Sequence, residues 1–210
     1  MKEYKTILWD FDGVIKESLA IKADSFADLF ENIGINTRKK IKAHHLNNGG
    51  VSRYIKIPLY LDWANLPNNK DTIDYYCKTF SNLVINKVIS SKWVPGVEKI
   101  LRNNPFNQEF HLISATPDFE IEIILKRLNL HKCFGSIFGS SLSKIDSISK
   151  IINSRGLNKL ETIFIGDTIT DYEAAKKNDI SFLLRETEEK TDFNTNYYGL
   201  KCNDFLNFTN

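Results

Sequence analysis

TILWDFDGV, Thr6–Val14, is the stretch on which the fold turns. Its apolar, strand-forming start, Thr6 to Phe11, suits a strand covered on both faces, as parallel strands are. Two acids and a glycine stand at its C-terminal end, which in an open α/β sheet is the rim where ligands bind. Side chains alternate along a strand, so Asp10 and Asp12 reach the same space while Phe11 turns into the core. Gly13 lets the chain bend sharply. Asp10 and Asp12 would equally suit turn or helix-cap positions.

Further along, short apolar runs with strand character recur at Glu109–Ile113, Ser136–Phe138, Thr162–Ile165 and Ser181–Leu184. Helix-length amphipathic segments lie between or after the later runs, at Asp118–Leu130, Ile145–Ser154 and Thr170–Asn178. This alternation predicts an α/β fold with a doubly wound, Rossmann-like parallel sheet. The long interval between the first two strands has helical periodicity at Ser18–Ile33, Thr37–Leu46 and Asp71–Ser90, and Val94-Pro95-Gly96 punctuates its exit. We therefore expect a core of residues 1–15 and 93–210 and a helical insertion at 16–92. Pro58 should break any helix from Ser52 to Trp63.

Of 210 residues, 42% are hydrophobic and 26% charged, a mixture that fits a globular chain and excludes a disordered one. With 28 basic and 26 acidic side chains, no general affinity for nucleic acid is expected. The insertion carries the basic excess and the remainder the acidic one, an arrangement that suits an anionic small substrate beside a bound cation, although solvated helix faces would look the same. No apolar run is long enough to cross a bilayer, the N-terminus has no signal-peptide pattern, and the three cysteines form no C-x-x-C pair. A cytoplasmic protein, monomer or homodimer, with reduced thiols and no membrane or nucleic-acid partner is the expectation.

Three further elements carry chemistry. Gly166-Asp167-Thr168-Ile169-Thr170-Asp171 puts acids at a strand end just before a helix, where carboxylates that converge would repel unless a cation such as Mg²⁺ neutralised them. Helix capping by Thr168 or Thr170 is the competing reading. In Ile113-Ser114-Ala115-Thr116-Pro117 a strand ends in a hydroxyl, and Ser114 with the following N–H groups would cradle an anion or simply cap a helix. Lys144 opens a helix, where a cation opposes the macrodipole unless an anion sits beside it.

In this order the D-F-D-G-V, I-S-A-T, lone Lys and G-D-T-I-T-D elements resemble the haloacid dehalogenase superfamily, over nearly the whole chain. The resemblance implies a phosphotransferase core with a cap inserted after the first strand. It implies Asp10 as nucleophile, forming a phosphoaspartyl intermediate, and Asp12 as general acid and base. It also implies Mg²⁺ held by the Asp10 carboxylate, the Asp12 carbonyl and Asp167 with support from Asp171. Gly13, Ser114, Ala115 and Lys144 would hold the transferring phosphoryl group. The dehalogenase branch lacks the second acid, so carbon–halogen cleavage is rejected.

Gly49-Gly50-Val51-Ser52-Arg53 is similar to the substrate-reading loop of the β-phosphoglucomutase branch, which would place the Arg53 fork on the far end of a sugar phosphate; an exposed helix arginine is the alternative, and Lys56 is a weaker candidate. Lys22 stands where mutases carry a hinge histidine, and Thr116 and Ile145 also depart from the mutase pattern. A phosphatase acting on a small phosphorylated metabolite is therefore favoured over a phosphosugar mutase, with a non-catalytic phospho-ligand binder third. His44, His45, His111 and His131 match no metal-ligand spacing and are read as structural. The aromatic residues Phe193, Tyr197, Tyr198, Phe205 and Phe208 near the C-terminus are expected to pack on the core.

Overall fold

The computed structural model describes residues 1–188 and 191–208. Six parallel strands, β1 (Thr6–Trp9), β2 (Glu109–Ile113), β3 (Ser136–Phe138), β4 (Thr162–Gly166), β5 (Ser181–Arg185) and β6 (Leu200–Cys202), form one sheet in the order β3-β2-β1-β4-β5-β6. This is the α/β, Rossmann-like architecture expected. β1 is central, with Trp9 in register with Leu112 on one side and Ile165 on the other.

Alternation along β1 divides its side chains between two buried clusters. Ile7 and Trp9 join one that also contains Ile121 and Leu125, and Leu8 joins a second that contains Ile148, Ile151 and Ala174. Two helices, α5 (Val97–Asn103) and α6 (Asp118–Arg127), supply the first face, and α7 (Lys144–Arg155) and α8 (Ile169–Lys177) the second. Both faces of the central strands are thus dry, which is why their sequences read as unbroken apolar runs.

Between β1 and α5 lie α1 (Leu19–Leu29), α2 (Ile35–Asn47), α3 (Arg53–Trp63) and α4 (Lys70–Ser90). They close on an aromatic centre in which Phe26 stacks on Phe80 with ring centroids 3.8 Å apart and meets Tyr60 edge-on. That packing explains one departure from expectation: α3 runs unbroken through Pro58. A proline inside a helix costs about 3 kcal/mol. Ile57, Tyr60 and Leu61 on the same helix are fully buried, and each such side chain returns about 1.5–3 kcal/mol. Packing outweighs the lost bond.

β1 ends at Trp9, earlier than expected, because the chain leaves the sheet to bend: the Phe11 carbonyl accepts from the N–H groups of Ile15 and Lys16, and Gly13 has φ +76°. Phe11 is fully buried, as its alternation required. β6 was not anticipated from the sequence. Phe205, just beyond it, is fully buried and meets Trp9 edge-on, and Phe193 and Tyr197 pack with Tyr172. Tyr198, expected to pack, is instead exposed, and it is the adjacent Tyr197 that turns inward, against Tyr172 and Phe182. Cys77, Cys133 and Cys202 are free thiols, and among the described residues no helix is long and apolar enough to cross a membrane.

Candidate active site

The strand order reverses its direction of growth at β1, so the C-terminal ends of β1 and β4 frame a crevice. The Asp10 N–H continues the ladder by donating to the Ile165 carbonyl at 2.9 Å, which sets Asp10 level with the residues that lead into Asp167. Asp171, in the first turn of α8, completes the group: one oxygen from each of Asp10, Asp167 and Asp171 lies within 4.8 Å of the other two. All three are buried.

The helix-capping reading of this segment is also realised. Asp171 Oδ2 accepts from the Thr168 N–H and from Thr168 Oγ1, fixing its carboxylate so that Oδ1 faces Lys144 at 2.5 Å. Lys144 Nζ spans to Asp10 Oδ2 at 2.8 Å. Asp10 Oδ1 accepts from the Phe11 N–H at 2.7 Å, so the Asp10 carboxylate is held at both oxygens.

With all three ionised, the carboxylates exceed the one ammonium by two negative charges, which one divalent cation would balance. Burial, only partly opposed by Lys144, raises the Asp10 pKa to about 7. Burial together with the charges of Asp10 and Asp171 pushes Asp167 well above the usual carboxylate range. For Lys144, burial acts downward, but Asp10 and Asp171 outweigh it and raise its pKa. Asp167 Oδ1 is buried with no hydrogen-bond partner, the state expected of a ligand oxygen. At Gly13 a Cβ would stand 2.5 Å from Asp167 Oδ2, so only glycine keeps the cradle open at that positive φ. The donor set, all hard oxygens, fits Mg²⁺.

Asp12 faces the other way. Its carboxylate is not among the three clustered acids; it accepts from Ser18 Oγ at 2.6 Å, Lys22 Nζ at 2.5 Å and Thr116 Oγ1 at 3.2 Å. Burial would raise its pKa, yet Lys22 and the two hydroxyls more than offset this and hold it below the usual value. The sequence marked Lys22 only as a departure from the mutase pattern; its contact joins α1 to Asp12 and was not legible. Ser114 closes β2 with its N–H on the Phe138 carbonyl, and its Oγ accepts from the Thr116 N–H at 3.1 Å. A cavity of about 400 Å³ opens beside Ser114 and Lys144, bounded across the gap by Val51 and Ile55.

Arg53 is not the exposed helix arginine of the alternative reading. It is buried, donating to Ser81 Oγ and to Glu120 Oε1, both at 2.7 Å, with its guanidinium 4.5 Å from the centre of the Phe80 ring. Glu120 belongs to α6, so this pair ties the helical insertion to the sheet-bearing part of the chain. Breaking it strands a buried charge: Glu120→Gln is expected to cost about 3–5 kcal/mol in urea unfolding, and the joint change Arg53→Met with Glu120→Leu to recover most of that. His45 and Lys56, 3% and 2% exposed, line the same narrow cleft as Asp12, Lys22 and Arg53. Reading His45 as purely structural overlooked this position.

The haloacid dehalogenase-like hydrolase family model matches residues 7–184. No curated protein matches the chain. Among solved structures, a "predicted phosphoglycolate phosphatase" from Haemophilus somnus 129PT superimposes with TM-score 0.79 at 17% identity, covering 99% of this chain and 97% of its own. CbbY from Rhodobacter sphaeroides, in complex with phosphate, gives 0.77 at 11% identity over 96% and 95% of the two chains. A mutant of that protein, in complex with xylulose-1,5-bisphosphate, gives 0.78 at 11% over the same shares.

Proposed function

The chain belongs to the haloacid dehalogenase-like hydrolase family, and from that premise we propose that it is a Mg²⁺-dependent phosphatase that hydrolyses a small phosphorylated metabolite. The observation that carries this reading is the convergence of Asp10, Asp167 and Asp171 on one side of the crevice with Lys144 between two of them, while Asp12 stands apart on its own network. The structural relatives named as phosphatase or phosphate complex support it.

In this reading Asp10, anchored by the Phe11 N–H and Lys144, attacks phosphorus and becomes the phosphoaspartyl group, releasing the alcohol. Asp12 protonates the leaving oxygen and then takes a proton from the water that cleaves the intermediate; the ionised form favoured by Lys22 suits the second role. Lys144, the Ser114 hydroxyl, and the backbone at Gly13 and Ala115 hold the phosphoryl oxygens. Mg²⁺, bound by Asp10, Asp167 and the Asp12 carbonyl with Asp171 in support, would supply charge neutralisation between nucleophile and phosphate. The helices of residues 16–92 act as a cap that excludes water over the site.

The test is phosphate release from sugar phosphates, nucleotides, phosphoglycolate and an aryl phosphate, with Mg²⁺, with chelator and with Asp10→Asn. Release that needs both Mg²⁺ and Asp10 is expected; release indifferent to both would overturn the reading.

Linkage gives a second check. Without metal, native Asp10 and Asp167 hold protons above the pH at which the unfolded chain has lost them, so the contribution of these two groups to stability falls as pH rises from 3.8 toward about 7. A cation that requires both groups ionised binds more tightly as pH rises. The rise in Tm produced by Mg²⁺ should therefore be larger at pH 8 than at pH 5; equal rises at the two pH values would remove these carboxylates from the metal site.

A further inference from the structure

Arg185 closes β5, and because Leu184 pairs with Gly166 it stands at the same sheet edge as Asp167. It is 4% exposed, and its guanidinium gathers three segments that are remote in sequence. Nη1 donates to the Gly13 carbonyl at 3.1 Å and to Glu17 Oε2 at 2.9 Å, Nη2 donates to Glu17 Oε1, and Nε donates to the Asn203 carbonyl at 3.3 Å. The two parallel bonds to Glu17 aim the planar fork at Gly13, which a single ammonium on Glu17 would not do.

Gly13 is the softest point of the loop that bears Asp10 and Asp12. Asp167 Oδ2 excludes a side chain there, and a glycine leaves both backbone angles free. Two contacts remove that freedom. The Gly13 N–H donates to the Lys16 carbonyl at 2.8 Å, and since a trans peptide is planar this sets the direction of the Asp12 carbonyl. On the other side of the Gly13 Cα, the carbonyl is held by Arg185. The clamp is itself well anchored. Glu17 lies in the connection into α1, and its N–H donates to the Lys92 carbonyl in the connection out of α4, beside the bridge between Lys16 and Trp93.

We propose that Arg185 is a positioning residue, which through the Gly13 carbonyl fixes the backbone after Asp10 so that the Asp12 carbonyl and the Asp10 carboxylate keep the geometry that turnover requires. This rests on the phosphatase reading and adds to it a residue that touches neither substrate nor metal. Arg185 acts at one remove, as the partners of ligand groups do, and losing such a partner costs about 10- to 100-fold in metal affinity or activity.

The experiment uses Arg185→Lys, which keeps a positive charge for Glu17 but replaces the fork with a point donor. With an aryl phosphate and saturating Mg²⁺, kcat should fall about 10- to 100-fold while KM stays within about threefold. The dissociation constant of Mg²⁺, measured by calorimetry without substrate, should rise about tenfold, with the urea midpoint little changed. A residue that only held the fold together would give the reverse, a lower urea midpoint with kcat and the Mg²⁺ constant intact. Should Arg185→Lys fail to fold, the joint change Arg185→Met with Glu17→Gln, which removes both charges of the pair, carries the same expectations for kcat and Mg²⁺. Values of both within about twofold of wild type overturn the positioning role and leave the phosphatase standing. If the wild type shows no Asp10-dependent release, the phosphatase reading fails and the Mg²⁺ constants alone judge Arg185. Equal constants, or a wild type that binds no Mg²⁺, then overturn its role.

Discussion

Asp10→Asn should give a folded protein whose phosphate release is lower by about four orders of magnitude or more, because an amide cannot form the acyl phosphate. The substitution is isosteric, and the asparagine oxygen still accepts from the Phe11 N–H that now donates to Asp10 Oδ1. Lys144 loses one carboxylate but keeps Asp171 at 2.5 Å. Meanwhile the repulsion that helps to raise Asp167 is reduced, since Asp10 is the largest of the charges acting on it. Removing one of three crowded acids thus leaves the metal-free protein at least as stable as before. Phosphate release and thermal unfolding, measured on the same preparation, separate lost chemistry from lost structure. Wild-type turnover in this variant would end the assignment of Asp10 as nucleophile.

Lys144→Met acts in the opposite direction on stability. The ammonium is the one cation in contact with Asp10 and Asp171 among the described residues, and without it three carboxylates are buried together. The loss of one partner from a buried ionic group costs about 3–5 kcal/mol. In chelator at pH 8 the urea midpoint should drop accordingly. Two additions should restore much of it: Mg²⁺, which supplies the missing positive charge, and acid, which lets Asp10 and Asp167 take up the protons their raised pKa values favour. Turnover with Mg²⁺ should fall about 100- to 1000-fold, the usual loss when one stabilising donor to a developing oxyanion is removed. A variant as stable as wild type in chelator at pH 8 would contradict the charge balance described for the site.

What the sequence revealed, and what it hid, divides along a physical line. Asp10, Ser114 and Asp167 each follow directly on a strand or close it, and parallel strands bring their C-terminal ends to one edge. Their convergence was therefore readable from local patterns alone. Lys144 and Asp171 were readable for the same reason, one residue into α7 and three into α8. Contacts made across the interval between insertion and core were not. Nothing near Lys22 in sequence names Asp12 or Thr116 as its partners, and nothing near Arg53 names Glu120. Pro58 misled because the rule for proline concerns an isolated helix, whereas α3 is held by Ile57, Tyr60 and Leu61 in the aromatic centre. β6 escaped notice because it is three residues long with Leu200 and Lys201 exposed, so it carries no period to detect.

The register of β1 also bears on how the chain is made. Thr6 pairs with Glu109 on one side and with Thr162 on the other, so the earliest of these six strands to be synthesised waits through the whole of the following helical interval before its first neighbour exists. The four helices that follow can find local partners while it waits, since α1 packs on α2 and α4. Non-local pairing of this kind is slow and leaves apolar segments open to association. The strand that leads into Asp10 is thus synthesised well before it is sealed, and the nascent chain passes through a stage in which its helices are ordered while Ile7, Leu8 and Trp9 are still bare, a binding target for chaperones during synthesis.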